Sequence, residues 1–93
     1  MHEMGIANSV LEAVEKELQR YPGHRAAKVG LRIGEFAGVD SDSLEFCFEA
    51  LVKGTPWEPL ALEITLCRVE QGRRGDELEL AYVELDDFQE AVA

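Results

Sequence analysis

The chain opens Met1-His2-Glu3, which sets an α-amine, backbone amides and an imidazole side by side. An α-amine titrates at about pH 8 and an imidazole at about 6.5, so both offer neutral nitrogen just above physiological pH. The amine, the intervening amide nitrogen and imidazole Nδ1 form fused five- and six-membered chelate rings once the amide gives up its proton. The Glu3 amide, its carboxylate or another side chain would complete the shell. Planar, nitrogen-rich coordination suits Ni²⁺ or Cu²⁺. Copper wins a free contest, so selectivity for nickel rests on supply or delivery. The arrangement requires position 1 to carry a free amine. The competing reading is that a Met-His start is chance.

Little else in the chain offers chemistry. Histidine recurs only at position 24, in the turn Pro22-Gly23-His24-Arg25, where a solvated loop residue is expected. Cys47 and Cys67 are the two cysteines, and no CxxC pair occurs, which excludes a cysteine-based zinc ribbon and a disulfide framework. Both read as small packing residues. Ser9, Ser41 and Ser43 have no histidine at a useful spacing, and neither a phosphate-binding glycine loop nor an HExxH motif is present. The reading is therefore of a non-enzyme.

Composition sets the outer bounds. Ninety-three residues, 46% of them hydrophobic, suffice for one small domain with a core. Nineteen acidic against nine basic residues give a net charge of −10, the wrong sign for nucleic acid or an anionic membrane surface. There is no run of about 20 apolar residues to span a membrane, and no signal-peptide pattern. The cytoplasm is the expected compartment.

Several elements must position the first residues. Ile6, Ala7, Val10, Leu11, Val14, Leu18 and Tyr21 recur at spacings of 3 and 4 and predict an amphipathic helix from about Glu3 to Arg20, closed by Pro22-Gly23. Ala27, Val29, Leu31 and Ile33 alternate with Lys28, Gly30, Arg32 and Gly34, a strand with one buried face. Its two glycines mark a bulge or a close approach. Residues 38–43 form a turn rich in N-cap types, and Leu44, Cys47, Phe48, Leu51 and Val52 predict a second helix. Leu60, Leu62, Ile64 and Leu66 give a second strand. Leu78, Leu80 and Tyr82 give a third, continuing into Val83 and Leu85 through a phase shift near Ala81 that a bulge would explain. The turn at 71–75 is expected to join the last two strands as a hairpin, and Phe88 and Val92 to pin a short turn in the acidic tail. The fold class is α+β, order αβαββ: a three-stranded sheet with two helices packed on one face. Strand order is left open, and exposed sheet edges make either a monomer or an edge-paired or strand-swapped dimer reasonable.

MHEMGIANSVLEAVE, KVGLRIGEFAGVD, LEFCFEALVKGTP and LALEITL, in this order and spacing across about residues 1–67, resemble the HypA/HybF family. GDELELAYVEL resembles that family's final strand. Its members are nickel metallochaperones for maturation of nickel–iron hydrogenase. The resemblance implies the fold above, Ni²⁺ held as cargo by Met1 through its amine, His2 through its imidazole and Glu3 through a backbone nitrogen, and partners in a maturation GTPase and the hydrogenase large-subunit precursor. Asp40 matches a position where the family tends to be acidic, and its other expected role is to cap the second helix. Family members carry a zinc module with two CxxC pairs between the second and third strands. Here a short loop at about 68–76 replaces it, so zinc is not expected. The whole of 1–93 then reads as a single nickel-binding-type domain. The alternative is a metal-independent interaction or scaffolding module of the same family that has lost metal delivery.

Overall fold

The computed structural model describes residues 2–69 and 74–87. Met1, the middle of the short loop (70–73) and the tail with Phe88 and Val92 lie outside the described residues. The elements are α1 (Glu3–Leu18), β1 (His24–Gly34), α2 (Ser41–Val52), β2 (Ala61–Cys67) and β3 (Leu78–Asp87). This is the αβαββ order that the periodicities predict.

The helices form because each has an apolar stripe that must leave water. Ala7, Val10 and Val14 from α1, and Leu44, Phe48 and Val52 from α2, are buried against Val29, Leu31 and Ile33 of β1. Full burial of the Val, Leu, Ile and Phe side chains in this set stabilises the fold by about 1.5–3 kcal/mol each. α1 ends at Leu18, two residues earlier than its pattern suggests, and the chain turns through Gly23 at φ +87°. A left-handed φ of this kind favours glycine.

The sheet order is β2-β1-β3, with β1 parallel to β2 and antiparallel to β3. The hairpin expected between β2 and β3 does not form. Both strands pair with β1, the strand with the strongest apolar face, and α2 makes the long crossover that a parallel pair requires. The chain therefore passes from one sheet edge to the other across the Gly34 end of β1. There the Gly34 amide donates to Glu77 O at 2.8 Å and the Phe36 amide to Gly75 O at 2.7 Å.

Two bulges set which residues face the helices. Ala81 is unpaired between Tyr82 (opposite Gly30) and Leu80 (opposite Leu31), as the phase shift predicts. A second bulge leaves Ala27 unpaired on β1, so Ala26 rather than Ala27 joins the core. His24 is likewise not a loop residue: it is the exposed first residue of β1, its ring edge-on to Tyr21 with centroids 6.4 Å apart. Cys47 packs against the core as expected, but Cys67 lies outside it, half-buried on the sheet face away from the helices.

Candidate metal site at the start of the first helix

His2 and Asp40 are the N-cap residues of the two helices, and they use their side chains differently. Asp40 turns its carboxylate onto the Asp42 and Ser43 amides at 3.1 and 3.3 Å, the ordinary work of an N-cap aspartate. The capping role expected for it is thus observed. His2 adopts a similar extended backbone, φ −88° and ψ 100°, yet makes no side-chain capping bond. Its ring is exposed.

The helical ladder of α1 begins with the Ile6 amide on His2 O at 3.2 Å. The amides ahead of Ile6 therefore have no carbonyl partner within the helix. Nitrogens at His2 and Glu3 can change protonation state without breaking a rung. The helix dipole is positive at this end and favours an anionic amide there.

Glu3 joins the two helix starts. Its Oε2 accepts the Asp40 amide at 3.0 Å. That bond, and secondarily one from its own backbone amide, holds the Glu3 carboxyl below its ordinary value of 4.5. The Oε2 oxygen of the carboxylate is thus engaged at the start of the second helix. The structure thus brings His2, Glu3 and Asp40 to one end of the molecule. Among the described residues, however, no group of three or more His, Cys, Asp or Glu side chains converges on a common point.

The sequence reading missed what lies beside His2. A groove of about 420 Å³ runs between α1 and β3, with His2 at its mouth and Ile6, Val10, Leu78 and Leu80 among its lining residues. The alternation of Leu78 and Leu80 signalled an apolar strand face. That the helices leave this face open depends on strand order, which the alternation does not carry.

Two helices on one face of a three-stranded mixed sheet, beginning side by side, define a small α+β protein. The chain belongs to the HypA family: residues 1–74 match the family described as hydrogenase/urease nickel incorporation, metallochaperone, HypA. A hydrogenase maturation factor HypA of Methanopyrus kandleri is 43% identical over 68 residues, 73% of this chain and 48% of that protein. One from a Geobacter species is 46% identical over 66 residues, 71% of this chain and 57% of that protein. The chain thus matches about half the length of these curated relatives. The solution structure of a HypA protein superposes with a TM-score of 0.72 at 18% identity, covering 91% of this chain and 96% of that one, a likeness of fold.

Proposed function

We propose that this chain is a nickel carrier that binds Ni²⁺ at its amino-terminal segment and delivers it for maturation of nickel–iron hydrogenase, without catalysing a reaction itself. Met1 supplies the amine, His2 the imidazole and its own amide nitrogen, and Glu3 a further backbone nitrogen. The observation that carries this reading is the uncapped start of α1: an exposed imidazole that caps nothing, followed by amides with no helical partner. Glu3 keeps its carboxylate on the Asp40 amide, anchoring the site while its nitrogen exchanges a proton for metal.

A site at a chain end releases its cargo ligand by ligand. Protons compete for the amine and imidazole, so affinity falls as pH falls. The proposed setting is the cytoplasm, with a maturation GTPase and the hydrogenase large-subunit precursor as partners. Zinc has no place in the proposal. The chain's two cysteines, Cys47 and Cys67, cannot build a four-cysteine site, and they lie on different elements.

The test is Ni²⁺ calorimetry at mildly alkaline pH on protein whose first residue is a free Met1, with the square-planar absorption band as a second readout. His2→Ala, or residues added ahead of Met1, should abolish tight binding and the band. Equal affinity in His2→Ala overturns the proposal. A second reading, a metal-independent interaction module, draws on the apolar groove beside His2. Partner binding indifferent both to nickel and to His2→Ala would favour it.

A further inference from the structure

β3 has two unlike faces and one open edge. Its residues paired with the helix-facing positions of β1 are Leu78, Leu80, Val83 and Leu85. Leu78 and Leu80 remain 39% and 40% exposed because no helix covers them fully. On the opposite face stand Glu79, Glu84 and Asp86. Among the described residues the sheet order leaves β3 paired on one side only, with β1. A second hollow of about 380 Å³, which shares Leu80 with the groove between α1 and β3, is lined by Glu17, Tyr21, Val83 and Leu85.

The structure already contains the kind of strand that fits β3. On its inner side, β1 sets Arg32 opposite Glu79, Lys28 opposite Glu84 and Arg25 opposite Asp86, while Val29, Leu31 and Ile33 meet the apolar positions. Opposite charges across a strand pair are favourable and like charges are not. The outer edge offers the same alternation to a newcomer. A second copy of β3 is a poor occupant, because it would bring its own acidic residues against these. The net charge of −10 makes self-approach costlier still and draws cationic partners.

We propose that the open edge of β3 takes an extended segment of a partner protein in which cationic and apolar residues alternate, adding a fourth strand to the sheet beneath α1. Main-chain hydrogen bonds supply affinity and the alternating side chains supply specificity. Apolar residues of the segment enter the groove beside Ile6 and Val10, and its cationic residues stand next to Glu79 and Glu84. His2 also lines the groove, so a segment docked there runs beside that residue. The inference holds with or without metal, and nickel is left out of its test.

The probe is the peptide acetyl-Lys-Val-Lys-Val-Lys-Val-Lys-amide, titrated into the full isotope-labelled chain at low and physiological salt. Binding should shift amide resonances along Leu78–Leu85 and the facing side of α1, and slow hydrogen exchange at β3. Glu79→Lys/Glu84→Lys should weaken it about tenfold, given the usual size of cross-strand charge terms. Glu12→Lys/Glu15→Lys, an equal charge change on exposed α1 positions, should weaken it much less. A peptide of the same composition with the alternation broken should bind poorly. Equal binding by that peptide, equal losses in both charge variants, shifts spread over the whole acidic surface, no binding, or self-association of the chain through β3 would each overturn the proposal.

Discussion

At the scale of single residues, the proposed amino-terminal site rests on a division of labour between His2, Glu3 and Asp40. Asp40 has two roles: its carboxylate caps α2 and its amide holds Glu3. Asp40→Ala should cost about 1 kcal/mol by loss of the cap, while Asp40→Asn, which keeps both an acceptor and the amide, should cost little. Chemical denaturation of the two variants checks this, and nickel affinity unchanged in Asp40→Asn would mark the residue as structural. The Glu3 carboxyl titrates lower in the fold than in the unfolded chain, because the Asp40 amide binds its anion. Its contribution is therefore present above the ordinary value of 4.5 and is lost as pH falls through the lowered one. Glu3→Gln should flatten the stability profile in that acid range, and carbonyl NMR should find the Glu3 midpoint below the ordinary value of 4.5. The proposal that Met1-His2-Glu3 chelates metal rests on residue types alone. The Glu3–Asp40 bond was not legible in them, since it spans 37 positions and depends on two helices starting side by side.

At the scale of elements, the informative positions are those where strands crowd one another. Tyr82 lays its ring over Gly30 and donates its hydroxyl to the Glu63 carboxylate, so one side chain of β3 bridges β1 to reach β2. That bond favours the neutral phenol and pushes its pKa up to about 12 from 10.0. A raised value means stability fully present below pH 10 and lost as pH climbs towards 12. Phenolate absorbance should show Tyr82 titrating above the ordinary value of 10.0, with Glu63→Gln returning it towards that value. The glycines beneath report the same crowding. A methyl at Gly30 would meet the Tyr82 ring, whereas one at Gly34 would meet the Gly75 backbone, which has no rotamer to move. Gly30→Ala should cost about 1–3 kcal/mol, less in a Tyr82→Ala background, and Gly34→Ala should cost at least as much with no such relief. A double-mutant cycle by urea denaturation measures both. Period-2 alternation revealed the strands and the bulge at Ala81 because these are local patterns. It could not reveal that β1 lies between β2 and β3. A ten-residue connection (68–77) can close a hairpin or step over a strand end, and what decides is competition for the β1 edges.

At the scale of the whole molecule, the chain carries a net charge of −10, and among the described residues its sheet has two open edges. Open edges invite pairing between copies, and charges along an edge are a common means of preventing it. On β3 the charges are Glu79, Glu84 and Asp86, each with a β1 cation across the inner side. In an antiparallel β3–β3 pair they would confront one another, with repulsion that salt screens only partly at such short range. The chain should therefore be monomeric at physiological salt. Glu79→Gln/Glu84→Gln should shift it towards dimers, because it removes the repulsion but leaves the apolar positions Leu78 and Leu80 exposed beside a free edge. Glu12→Gln/Glu15→Gln changes net charge equally but lies on exposed α1 positions, and should remain monomeric. Light scattering across a concentration series distinguishes the two. If both pairs promote association alike, overall charge rather than the acidic edge keeps the copies apart; if only the β3 pair does, the carboxylates of that strand repel a second copy of it.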